Sequence, residues 1–119
     1  DSVAKRVLYA GPGHWNDPDI LFIGEGAFDA DHLTEARSHF SLWAMMSAPL
    51  LISYDLRKAP QALLDIWGNA DLIAVDQDPA GNQATIAYDS DDAQILVKTM
   101  ADHRKAVATE EVVWRRSIE

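Results

Sequence analysis

Residues 20–53 read ILFIGEGAFDADHLTEARSHFSLWAMMSAPLLIS, and their pattern decides the fold class. Ile20-Leu21-Phe22-Ile23 is a short apolar run ended by Gly24 and Gly26, as a buried strand running into a turn would be. Ala36, Phe40, Trp43 and Ser47 then recur at helical spacing, with Leu42 and Met46 beside them, and give a broad apolar stripe. Thr34 is the expected N-cap, with Glu35 placed against the positive end of the helix dipole. Ala48-Pro49 should end this helix. Leu50-Leu51-Ile52-Ser53 follows as another strand, apolar throughout as strands covered on both faces are. Strand, helix and strand in that order signal an α/β arrangement.

The same reading extends outward. Val7-Leu8-Tyr9-Ala10 is expected to be a buried strand stopped by the turn Gly11-Pro12-Gly13. Pro60 suits the first turn of a second helix with Leu63, Leu64 and Trp67 facing inward, closed by Gly68-Asn69. Asp71 to Val75 is either a helical turn or a strand. Asp78-Pro79-Ala80-Gly81 is a turn and marks a boundary. Beyond it the period changes: Gln94–Lys98 and Lys105–Ala108 are strand-like and hairpin-spaced around Asp102-His103. Residues 7–75 thus read as α/β and residues 82–119 as the start of a β region. Two helices are too few to cover both faces of a complete sheet, so the chain is expected to be part of a larger fold.

Charge narrows the partners. Among 119 residues, 10 are Lys or Arg and 19 are Asp or Glu, for a net charge of −9. A pI near 4.7 disfavours nucleic acid and anionic membrane surfaces, because phosphates would be repelled. With 48% hydrophobic and 24% charged residues, the composition is that of a globular chain. Cysteine is absent, which removes disulfides, thiolate zinc sites and thiol nucleophiles. No run approaches 18 apolar residues. The chain opens on Asp1-Ser2 without an initiator Met and reads as a processed or truncated piece.

The richest candidate site is Trp15-Asn16-Asp17-Pro18-Asp19. An indole beside two carboxylates can hold a sugar, the ring stacking on the indole while the carboxylates accept hydroxyl protons. On extended backbone the two Asp Cα atoms would lie roughly 6.5 Å apart on one face. The competing reading, favoured by spacing alone, is an Asx-Pro turn with two solvated acids. Gly11-Pro12-Gly13 lacks the residues of a phosphate loop and reads as a turn. His32 and His39 could share a helix face, but no third metal ligand is evident. His14 in its loop reads as structural. Ser53, Asp55 and Arg57 alternate at a strand end, where an ion pair stitching the loop is the simpler account. Trp43, Met45 and Met46 read as core, and Asp89, Asp91 and Asp92 as a solvated turn.

Four ordered blocks carry a resemblance. Ala10-Gly11-Pro12-Gly13-His14-Trp15-Asn16-Asp17-Pro18-Asp19-Ile20-Leu21 resembles the AGPGxWNDPDML segment of glycoside hydrolase family 27, the α-galactosidase (melibiase) family. Leu42-Trp43-Ala44 with Ala48-Pro49-Leu50-Leu51-Ile52-Ser53 resembles LWAxxxAPLxxS, Asp55-Leu56-Arg57 matches DLR, and Ile73–Gly81 is similar to IAxNQDPxG. The resemblance spans roughly residues 8–108 and implies a fragment of a (β/α)8 TIM barrel. Residues 1–81 would supply its last two β/α units, and residues 82–119 the truncated beginning of an antiparallel C-terminal β domain.

The chemistry so implied is retaining hydrolysis of terminal α-linked galactose by two aspartates. In the family these sit upstream, in KxD and DxxDxW motifs, and neither motif occurs in this chain. No catalytic residue is therefore assigned here, and Asp17 and Asp19 are rejected as the catalytic pair. Asp19 corresponds to an aspartate lining the galactose pocket, Ile20 stands where Met usually packs, and Trp15 and Asp17 are supporting residues. Asp76 stands where Asn is common, and Thr109–Arg116 replace the family's LFNR continuation.

The resemblance implies neither metal nor organic cofactor, and an α-galactoside as partner. It leaves open a homo-oligomer or an assembly with the missing barrel half, and points to an extracellular, periplasmic or lysosomal setting. Other readings are a family member of different specificity (α-N-acetylgalactosaminidase or β-L-arabinopyranosidase), a non-catalytic sugar-binding or structural module, and a partly unfolded, self-associating fragment.

Overall fold

The Leu21 N–H donates to the Leu51 carbonyl at 2.9 Å, and Leu21 and Ile52 form an isolated parallel bridge. The Ser53 hydroxyl adds a second tie, donating to the Leu21 carbonyl at 2.7 Å. Between these two extended segments runs helix α1, Leu33–Met46. The order extended segment, helix, extended segment is that expected of residues 20–53, but a single bridge joins the two segments and neither forms a regular strand. This geometry comes from a computed structural model, which describes residues 4–111.

Helix α2 spans Gln61–Trp67 and helix α3 Ala70–Asp76. After the turn at residues 78–81 come three antiparallel strands in the order β1-β2-β3: β1 Thr85–Asp89, β2 Ala93–Thr99 and β3 Lys105–Glu111. Short 3-10 segments occupy Ala4–Tyr9, Gly26–Phe28 and Leu56–Lys58.

Two clusters hold these layers together. Leu21, Ile23, Ala36, Phe40, Leu63, Ile66 and Trp67 form the main core, where α1 and α2 cover the 20–23 segment. Met45, Ala84 and Leu96 form a second core between the end of α1 and the sheet. Burial alternates strictly along β2, and Gln94, Leu96 and Lys98 point to the covered face.

Local chemistry sets the element ends. Ser47 adopts the left-handed conformation (φ 52°) and closes α1, its N–H donating to Ala44 O at 3.2 Å, while the Ala48 N–H reaches Trp43 O at 3.1 Å. Pro60 sits at the N-cap of α2 and Gly68 at its C-cap. Asn69 caps α3, its side chain accepting the Leu72 N–H at 3.1 Å. Removing that acceptor by Asn69→Ala should cost about 1 kcal/mol. Urea unfolding followed by circular dichroism checks it, and an unchanged midpoint would mean the cap contributes nothing.

Several expectations are corrected. Val7 to Tyr9 lie in the 3-10 segment Ala4–Tyr9 and Ala10 follows it, with Leu8 92% exposed. An apolar run becomes a strand only when another strand satisfies its backbone, and among the described residues none pairs with it, so local bonds prevail. Thr34 is inside α1, whose N-cap position is His32, without a side-chain capping bond. Leu50–Ser53 is not covered on both faces, since Leu51 and Ile52 are exposed. Asp71–Val75 resolves to a helix. Strand β1, unread in the sequence, pairs with β2 through a bulge between Ile86 and Tyr88. The predicted hairpin around Asp102-His103 is present, β2 and β3 pairing from Thr99↔Lys105 to Ala93↔Glu111. The side chains of Glu110 and Glu111 and the whole stretch from Val112 to Arg116, part of the departure from LFNR, lie outside the described residues.

Candidate functional site

Asp17 and Asp19 form one local device. The Asp17 carboxylate accepts the Asp19 N–H at 2.9 Å, an Asx turn, and Asp19 Oδ1 accepts the Ile20 N–H at 2.8 Å. Asp19 has φ 79°, a conformation that L side chains other than Asn and Asp rarely take. The extended i, i+2 geometry considered for this pair is therefore absent. Asp17 is occupied in building the turn, while the exposed Asp19 keeps its second carboxylate oxygen available to a hydroxyl donor.

Helix α1 holds this turn from behind. The Trp43 indole Nε1–H donates to the Asp19 carbonyl at 3.0 Å. One helical turn earlier, His39 Nε2 accepts the Phe22 N–H at 3.1 Å. The His39 ring stacks on Phe28 at 4.7 Å and meets Trp43 edge-on at 4.0 Å. Burial pushes the His39 imidazole down to about 4, so it is neutral at pH 7. With Nε2 accepting, the ring proton sits on Nδ1, which has no partner among the described residues. Spacing alone could have found this pair, since residues four apart share a helix face.

Trp15 is placed differently. A Cβ added at Gly81 would lie 2.9 Å from the Trp15 ring and from Pro12, so both residues close over the Gly81 turn. Trp15 also lines a cleft of about 360 Å³ with Pro49, Asp76 and Asp78. Asp17, Asp19 and Ile20 are not among its lining residues. Asn16, between the two groups, donates to the Arg6 carbonyl and to Gln83 Oε1, both at 2.8 Å. Ile20 is half-buried, directly before the bridge at Leu21.

The remaining candidates have structural partners. His32 pairs with Asp29 at 2.7 Å, while His39 turns to the Phe22 amide, so the two imidazoles serve separate groups. Hydrogen bonding to Asp29 raises the His32 pKa. Asp55 and Arg57 form the expected loop-stitching ion pair, two bonds of 2.9 Å. His14 Nδ1 lies 3.2 Å from Tyr9 O. Met45 and Met46 are core, as read, whereas Trp43 is half-buried and carries the bond to Asp19.

One charged group escaped the sequence reading altogether. Lys98 is 0% exposed, and its ammonium donates to Ala44 O at 3.1 Å, Ser47 Oγ at 2.7 Å and Val75 O at 2.5 Å. It thus satisfies carbonyls at the C-terminal ends of α1 and α3, where a helix dipole favours a cation. Burial lowers the Lys98 pKa, opposed by the Asp76 and Asp78 carboxylates. Burial raises that of Asp76, opposed by its bond from Gln77 and by Lys98.

Comparison with known proteins bears on these residues. The family model described as Alpha galactosidase A matches residues 2–78. An α-galactosidase of rice (Oryza sativa subsp. japonica) is 42% identical over 116 residues, covering 98% of this chain and 26% of the relative. A rat α-N-acetylgalactosaminidase is 37% identical over 99 residues, covering 82% of this chain and 23% of the relative. The solved structure of an α-galactosidase from Saccharomyces cerevisiae with raffinose superposes with a TM-score of 0.81 at 30% identity, covering 92% of this chain and 26% of that one. The chain spans about a quarter of the length of the curated relatives it matches.

Proposed function

Because this chain belongs to the alpha galactosidase A family, we propose that it is one portion of a retaining glycoside hydrolase that removes terminal α-linked galactose from oligosaccharides or glycoconjugates. Residues 1–81 contribute the last two β/α units of a (β/α)8 barrel, and residues 82–119 begin the C-terminal β domain. The parallel Leu21–Ile52 bridge with α1 between its segments supports the first assignment, and the antiparallel β1-β2-β3 order supports the second. The observation that carries the functional reading is the family match over residues 2–78, which includes the Trp15–Asp19 motif.

In this reading Asp19 and Ile20 face the galactose. One Asp19 carboxylate oxygen is tied to the Ile20 amide, and the other accepts a sugar hydroxyl. Asp17 shapes the turn, and Trp15 packs over Gly81 and supports the segment from outside the pocket. The nucleophile and the acid/base come from the remainder of the barrel, because the chain contains neither motif. Its place of work is extracellular, periplasmic or lysosomal; among the described residues no helix is long and apolar enough to cross a membrane. The identity to the rat enzyme favours α-N-acetylgalactosaminidase specificity as the second reading.

The chain alone is expected to give no turnover of 4-nitrophenyl α-D-galactoside above buffer. Activity should appear only on mixing with a complementary barrel fragment that carries both aspartates. Turnover by the unaccompanied chain would overturn the assignment. Comparing 4-nitrophenyl galactoside with its N-acetylgalactosaminide on the assembled protein separates the two specificities.

A further inference from the structure

We propose that Trp43 and His39 are positioning residues which, from α1, clamp both ends of the Asp19–Phe22 segment and hold Asp19 in the left-handed conformation from which it meets the sugar.

Four bonds converge on this segment. Asp17 takes the Asp19 N–H, Asp19 Oδ1 takes the Ile20 N–H, Trp43 gives its indole proton to the Asp19 carbonyl, and His39 takes the Phe22 N–H. The first two are local, an Asx turn and a bond from Asp19 to the next amide. The other two come from a helix 17 and 24 residues away in sequence, so they fix the turn relative to the fold. A non-glycine residue at φ 79° persists when its surroundings over-determine it, and such positions concentrate at ligand contacts. The rings back each other: His39 stacks on Phe28 and meets Trp43 edge-on, so neither can swing away without disturbing the other. A buried His39 with an unsatisfied Nδ1 is also a poor choice for stability alone.

The backbone clamp stands on this geometry by itself, whereas its service to a sugar rests on the functional reading above. The test uses the full chain, labelled for NMR. In the wild type, Asp19 should give the strong intraresidue amide-to-Hα cross-peak of positive φ, and a scalar coupling across the hydrogen bond should link Trp43 Nε1 to the Asp19 carbonyl carbon. The coupling needs no substitution, and its absence overturns the clamp.

Replacing Trp43 by β-(3-benzothienyl)alanine keeps the shape and removes the donor. The Asp19 signature should then average out, and in the protein assembled with the complementary barrel fragment galactose affinity should fall roughly tenfold, the scale of one hydrogen bond. His39→Gln, which retains an acceptor, should preserve slow exchange of the Phe22 amide, and His39→Leu should speed it roughly tenfold. An unchanged Asp19 signature in the indole isostere overturns the clamp. A lost signature with unaltered galactose affinity overturns its role toward the sugar. A lost signature where even the assembled wild-type protein binds no galactose leaves the clamp standing and removes the functional reading instead.

Discussion

Lys98→Met should cost about 3 kcal/mol of stability, a large share of what holds a small chain folded. The ammonium serves three acceptors, Ala44 O, Ser47 Oγ and Val75 O, and thioether sulfur can serve none of them. Stranding a buried acceptor costs about 1–3 kcal/mol, and partial relief comes from no longer burying a cation. Ser47 keeps its other bond, the hydroxyl donating to Asn82 O at 3.0 Å, so the main damage falls on the ends of α1 and α3. Urea titration of wild type and variant measures the difference. A loss below about 1 kcal/mol would show that water or local rearrangement replaces the lysine.

Acidification should weaken the fold through His39. In the unfolded chain an imidazole titrates near 6.5, and in the native protein burial holds His39 at about 4. Between those values the unfolded state binds more protons, so stability increases with pH there. The contribution is complete above pH 6.5 and disappears as pH falls toward 4, up to about 3 kcal/mol in all. His32 acts with the opposite sign, its pKa raised by Asp29, but that pair is solvent-exposed and screened. Comparing unfolding midpoints of wild type and His39→Gln at pH 7, 5.5 and 4.5 isolates the buried ring. Parallel pH profiles for the two proteins would refute the linkage.

Particular residues show what the sequence could convey. The 20–53 segment was readable because both signals it needs are local: apolar runs bounded by Gly and Pro, and a stripe at 3.6 spacing. The hairpin at Asp102-His103 was readable for the same reason. Val7–Ala10 was not, because composition carries no information about whether a neighbouring strand exists, and Leu8 stands exposed without one. In β2 the apolar residues Ile95 and Val97 suggest one inward face, yet the covered face is that of Gln94, Leu96 and Lys98. Hydrophobicity misleads there because a lysine is buried by three acceptors from distant elements. At the candidate site the motif from Trp15 to Asp19 was plain as a string. Its division, with Trp15 over Gly81 and Asp19 under Trp43, depends on contacts made 24 to 66 positions away.

The hairpin tip is also fastened across the turn at residues 78–81. The Ala101 N–H donates to the Asp78 carboxylate at 2.9 Å. Expressing residues 4–81 by themselves would strip Asp78 of that donor and leave the ends of two helices without their cation. The change of pattern at Gly81 is thus a seam in the text of the chain but not a line along which the molecule can be cut. Engineers recombining the segments before and after Gly81 between homologues would have to carry Lys98 and its receivers across together, as one inherited joint.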